Sequence, residues 1–143
     1  MKILIFSCLI CLLLVSCSKN EVNSNCNFLL NAGVNFTLNL DLPQFSNLQF
    51  QNNSVYIPNQ GNGGLIVTST GIGILAWDAS DPNHAPSACS IMTIIGGINA
   101  KCNCDDENEY SLITGQSLND PLPCALKNYR VEQTGSNSYL ISN

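Results

Sequence analysis

After about residue 27, no stretch of this chain carries helical periodicity, and short β-prone runs follow one another at close spacing. Val34-Asn-Phe-Thr-Leu-Asn-Leu40 alternates strictly between apolar and polar residues. That alternation marks a strand with one buried face, because successive strand side chains point to opposite sides. Further runs fall at 54–57, 65–69, 73–77, 91–95, 110–113, 128–132 and 138–141. Clusters of Gly, Asn and Pro separate them, as at 58–64 and Gly96-Gly97, with 58–64 read as a plain connector. Many short strands with turn signals and no helix imply an all-β domain, an antiparallel sandwich or small barrel. Asparagine is abundant, at 20 of 143 residues, which suits turns and solvated strand faces and implies no chemistry of its own. Trp77, at a strand end, reads as a packing residue, given the area that an indole buries.

Met1 is followed by Lys2 and the apolar run 3–15, then Ser16-Cys17. A charged start, a short apolar core and a small residue before the cut describe an export signal. The run is too short for a spanning helix, which needs about 20 apolar residues. Leu14-Val15-Ser16-Cys17 resembles the lipobox of bacterial lipoproteins, which implies cleavage before Cys17 and acylation of that cysteine. Residues 1–16 are thus expected to be a signal peptide, 17–27 a lipidated polar tether and 28–143 the folded domain. Removing 16 of 143 residues leaves 127, enough for one domain with a core, and loss of Lys2 takes the net charge from −5 to −6. Nucleic-acid binding is not expected, because Lys19, Lys101, Lys127 and Arg130 are scattered and phosphate recognition needs clustered cations.

Five cysteines remain in the folded part: Cys26, Cys89, Cys102, Cys104 and Cys124. Export exposes them to oxidation, so disulfides are the default, and an odd count leaves at least one thiol over. Cys102-Asn-Cys104-Asp105 lies 13 residues beyond Cys89, which follows Asp81-Pro-Asn-His84. Downstream come Tyr110 to Gly115, then Pro121 and Pro123, then Leu126-Lys-Asn-Tyr-Arg-Val.

This layout resembles the cluster-binding half of a Rieske [2Fe–2S] domain. Such domains carry a Cys-x-His loop, a Cys-Pro-Cys-His loop, an aromatic strand with a Gly turn, and a Pro-rich stretch. The resemblance covers 77 to about 132. It implies a small Rieske-like antiparallel β fold in which two loops frame an iron–sulfur site. Two cysteines and two histidines would hold the cluster. By that match, Cys102 and Asp105 stand at the second loop's Cys and His positions, and Asp81 and Asn83 at those of the first. His84 is displaced by one residue, so Cys102 alone of four positions keeps its ligand type. The resemblance further implies a disulfide between Cys89 and Cys104 across the two loops. Cys102 competes for either partner, and Cys26 with Cys124 is a second candidate pair joining the ends of the domain.

A mononuclear zinc or iron site built from Cys102, His84, Asp81 and Asp105 is an acceptable donor set on chemical grounds. A cluster that wants thiolates matches it poorly. The acidic run 105–109 lacks the twelve-residue loop and glycine of an EF-hand and reads as a solvated turn. With one histidine, no G-x-S-x-G elbow and no phosphate-binding glycine loop, the chain offers no catalytic constellation, and no enzyme is expected.

The expected protein is a lipid-anchored module of the bacterial cell envelope, on the outer membrane or the periplasmic face. Its Rieske-like domain would have lost its cluster, bind no cofactor and serve a structural or protein-interaction role with an envelope partner. The alternative is an iron-binding or [2Fe–2S] electron carrier with altered ligands. The anchor is directly testable. Cys17→Ser should move the protein from the membrane fraction to the soluble one and abolish the acyl mass increment. A variant that stays with the membrane would refute acylation at Cys17.

Overall fold

The computed structural model describes residues 26–143; the expected signal peptide, Cys17 and most of the expected tether lie outside the described residues. The strands are β1 (Asn35–Asn39), β2 (Asn53–Ile57), β3 (Leu65–Thr70), β4 (Gly73–Asp78), β5 (Thr93–Ile95), β6 (Asn99–Lys101), β7 (Glu109–Ser111), β8 (Asn128–Gly135) and β9 (Ser138–Ser142). They form a six-stranded sheet in the order β1-β9-β8-β4-β3-β2 and a three-stranded sheet, β5-β6-β7. Every pairing is antiparallel. The all-β antiparallel fold expected from the sequence is what the chain adopts.

Two hydrophobic cores lie against opposite faces of the same strands. In β3, Leu65 and Val67 enter one core while Ile66 enters the other. In β4, Ala76 and Trp77 divide in the same way. Strand periodicity of two forces that division, and it explains why β3 opens with three apolar residues in a row, Leu65, Ile66 and Val67. The first core collects Leu38 of β1, Tyr129 of β8 and Ile141 of β9. The second gathers Ala100 of β6, Tyr110 of β7 and Leu112 beneath the small sheet.

Two elements differ from the sequence reading. Pro43–Gln49 forms a 3-10 helix with Pro in its first turn, and it buries Phe45 and Leu48. A spacing of three suits three residues per turn, but seven residues are too few to show a period. The strand β6 carries no strand pattern of its own, because Asn99-Ala-Lys101 offers one apolar residue. Ile91, expected to begin a strand, instead makes a single bridge to Ser80 ahead of β5.

Two cross-links and one buried carboxylate hold the segments between strands. Cys26 is bonded to Cys124, pinning the last part of the expected tether to the domain, and Cys89 is bonded to Cys104. The 58–64 connector closes over Asp78, which is fully buried. The Asp78 carboxylate accepts bonds from Asn62 N–H and Asn62 Nδ2 at 2.8 Å each, and from Gly63 N–H at 3.2 Å. It also accepts from Ser80 N–H at 3.0 Å and from the Tyr129 hydroxyl at 2.6 Å. Gly115, with φ +73°, lies flat against the Trp77 ring, and Trp77 Nε1 donates to Leu112 O at 2.9 Å. A side chain at Gly115 would meet the indole as well as the left-handed backbone penalty.

Asp78→Ala should lower unfolding stability by roughly 3 kcal/mol or more, since an unsatisfied buried donor costs about 1–3 kcal/mol. Tyr129→Phe should cost about half as much, because it removes one donor and leaves the carboxylate otherwise satisfied. Urea midpoints of both variants check the order; equal losses would mean that the loop donors contribute nothing.

Candidate functional site

Two loops meet at one end of the small sheet. The first leaves β4 and starts as a narrow hairpin: Asp81 N–H donates to Ser90 O at 2.9 Å, and Met92 N–H to Ala79 O at 2.8 Å. The second joins β6 to β7 through the turn 102–108, where Cys102 N–H donates to Asn108 O at 2.8 Å. Asn103 N–H crosses to Cys89 O at 3.0 Å, and the Cys89–Cys104 disulfide ties the loops beside it. Both disulfides are the pairs expected from the sequence, and among the described residues Cys102 is the free thiol.

Between the loops sits a polar network around Asp81, which is fully buried. Its Oδ1 accepts from Asn83 N–H at 2.8 Å and from the Tyr110 hydroxyl at 2.5 Å. Its Oδ2 accepts from Asn108 Nδ2 at 2.9 Å. Asn83 Nδ2 donates to the Tyr110 oxygen at 2.8 Å and to Cys124 O at 2.7 Å, while its Oδ1 accepts from Cys124 N–H at 3.0 Å. The network therefore reaches the second disulfide as well. Proline at 82 fixes the backbone between Asp81 and Asn83 and has no donor to leave unpaired.

Burial and the neighbouring Asp81 carboxylate both disfavour ionisation of the groups around it. The Cys102 thiol is pushed from 9.0 up to about 12, first by burial and then by Asp81. The Tyr110 phenol is likewise raised by burial and by its bond to Asp81. Asp105 is exposed on the acidic turn, and Lys101 pairs with Glu107 at 3.0 Å and Glu109 at 3.9 Å. The run 105–109 is thus a solvated turn strapped by a lysine.

The structure does not gather the four donors Cys102, His84, Asp81 and Asp105 into one group. A ring nitrogen of His84 lies instead with the sulfurs of Cys89 and Cys104, and Cys102 lies with Cys104 and Asp106. Asp81 faces its hydrogen-bond partners, and Asp105 faces solvent. Tyr110 and Asn108 are central to the site and escaped the sequence reading. Tyr110 looked like an ordinary strand aromatic, and nothing local to Asn108 announces a carboxylate 27 residues away.

A [2Fe–2S] centre of Rieske type needs two thiolates and two imidazoles. The residues here do not fit it. Cys102 is the one thiol at the four expected positions, Asp81 and Asn83 are committed to the network, and Asp105 points outward.

No protein-family model matches the chain, and no curated protein matches it. Solved structures do. The ferredoxin of carbazole 1,9a-dioxygenase from Nocardioides aromaticivorans IC177 is 16% identical with a TM-score of 0.46, covering 77% of this chain and 96% of that one. A chain of the complex of reduced oxygenase and oxidized ferredoxin in carbazole 1,9a-dioxygenase is 15% identical with a TM-score of 0.49, covering 79% and 94%. A chain described as the small subunit of an NADH-dependent nitrite reductase from Mycobacterium tuberculosis is 18% identical with a TM-score of 0.46, covering 78% and 96%. At these identities the likeness concerns the fold.

The raised Cys102 thiol carries a pH signature. The folded chain keeps a proton that the unfolded chain releases near pH 9.0, so this stabilisation is complete below that pH and is lost as pH rises toward about 12. Denaturation measured across that interval should show a shallower alkaline decline for Cys102→Ala than for the parent chain. Equal slopes would contradict a buried, protonated Cys102.

Proposed function

We propose that this chain is a lipid-anchored envelope protein whose Rieske-like domain works as a structural or protein-interaction module rather than as an electron carrier. One observation carries the reading: the Asp81–Asn83–Tyr110 network takes up the first-loop positions where a cluster would find a thiolate and an imidazole. A carboxylate satisfied by three donors gains nothing from exchanging them for iron, and a neutral buried thiol is a poor ligand until it loses its proton. Anchoring through Cys17 would hold the domain at the membrane surface, with the Cys26–Cys124 bond fixing where the tether enters.

The loop end offers the surface for a partner. A cleft of about 700 Å³ opens there, with Phe28, Leu122 and Pro123 supplying apolar area and Asn83, Asp106 and Asn108 the polar rim. Apolar anchors within a polar rim are the usual anatomy of a protein-binding surface.

A second reading is an electron carrier with an altered centre. The solved chains of similar fold favour it, since they include a ferredoxin. The two readings part at the metal. Purified without oxygen, the protein should contain iron and acid-labile sulfide far below one cluster per chain, with no visible absorption band. Its reduced form should give no paramagnetic signal. Near-stoichiometric iron and sulfide would reject the module reading in favour of the carrier.

A further inference from the structure

Two groups of potential ligands share Cys104 among the described residues: Cys102, Cys104 and Asp106, and a ring nitrogen of His84 with the sulfurs of Cys89 and Cys104, the atoms of each group lying within 4.8 Å of one another. The second group alone contains an imidazole and two cysteine sulfurs that one bond holds together. We propose that these three side chains form a zinc site when the Cys89–Cys104 bond is reduced, with water in the fourth position. The loop end would then have two states, clamped by a disulfide in one and by a metal ion in the other.

The geometry suits that exchange. The two cysteines have Cα atoms 4.9 Å apart, so their sulfurs can separate by side-chain rotation alone. Tetrahedral zinc with Zn–S bonds near 2.3 Å spaces its sulfur ligands about 3.8 Å apart, a small adjustment for donors already this close. His84 Nδ1 lies 2.7 Å from Ala85 O. A carbonyl can only accept, so Nδ1 carries the proton, and Nε2 keeps the free lone pair. Zinc-binding histidines are held in this way, with the second ring nitrogen donating to a carbonyl or carboxylate. Ser87 Oγ lies 3.2 Å from Cys89 Sγ and 3.9 Å from Cys104 Sγ, where its hydroxyl can donate to a thiolate. Cys102 lies within 4.8 Å of Cys104 in the other group, with Asp106, and does not belong to the group that contains His84.

The balance is simple. A dithiol reductant passes two electrons and two protons to the Cys89–Cys104 bond and becomes a disulfide itself, leaving two thiols. Zinc then displaces both thiol protons to solvent, and two thiolates with a neutral imidazole bring the dication to zero net charge. Cys89 is exposed, so a reductant can reach it.

The test uses the full chain in detergent, oxidised or reduced with a phosphine, titrated with zinc against a chromophoric chelator. The reduced chain should bind one more zinc per molecule than the oxidised chain. Cobalt in its place should show tetrahedral visible bands with thiolate charge transfer. His84→Ala and Cys89→Ser should each weaken binding by about 100-fold or more, beyond the usual cost of losing an outer partner, while Cys102→Ala should leave it unchanged. The His84→Ala chain still forms its disulfides, so its oxidised form serves as the folding control. Equal zinc uptake by oxidised and reduced chains, or full affinity in both ligand variants, would overturn the site. The readout is zinc, so the outcome is independent of the iron measurement above.

Discussion

Two buried carboxylates at the end of one strand organise this domain. Asp78 closes β4 and Asp81 follows three residues later, and neither is accessible to solvent. A carboxylate in such a place is strongly unfavourable unless donors surround it. The donors come from opposite directions. Asp78 receives the Tyr129 phenol from β8 in the large sheet, and Asp81 receives the Tyr110 phenol from β7 in the small one. Satisfying both acids therefore requires both sheets to be in place, along with the 58–64 connector and the two loops. The apolar cores supply the bulk of the driving force; the aspartates specify how the two sheets are joined through β4.

The same constraint determines what the loop end can do. A thiolate beside Asp81 would set two negative charges together in a place with little water, so Cys102 keeps its proton and Tyr110 keeps its own. A cluster site needs the opposite arrangement, with anionic sulfur stabilised by metal and nearby donors. With aspartate at 81, the Tyr110 phenol and the Asn108 amide have an acceptor without any metal, and Asn83 completes the network through Cys124.

Strand pattern was legible in the sequence because it depends on local spacing. Alternation in Val34–Leu40 marked β1, and the β-prone run 65–69 marked β3, though only the structure shows that β3 is covered on both faces. The pairing of Cys89 with Cys104 was implied by the resemblance of the cysteine layout to a Rieske domain. What stayed hidden was long-range polar pairing. Asn62 meets Asp78 across 16 residues, Tyr129 meets it across 51, and Asn83 meets Cys124 across 41. Asparagine is so frequent in this chain that those doing structural work could not be told from those in plain turns. The short elements escaped for a related reason: β6 and the 3-10 helix take their shape from what they pack on.

The two disulfides complement this architecture where the cores do not reach. Cys26–Cys124 closes 98 residues and Cys89–Cys104 closes 15. In the chain-entropy view these are worth about 4.7 and about 3 kcal/mol, comparable to much of a small domain's net stability. They act at the same end, since Asn83 bonds to both backbone groups of Cys124 while Asn103 bonds to Cys89 O. The long link ties the incoming chain to the network, and the short one ties the second loop to the first. The loop end is thus held by covalent bonds and by Asp81 together. Opening the short link leaves Asp81 and its donors intact, so the loops would keep their places while the two sulfurs became free to bind.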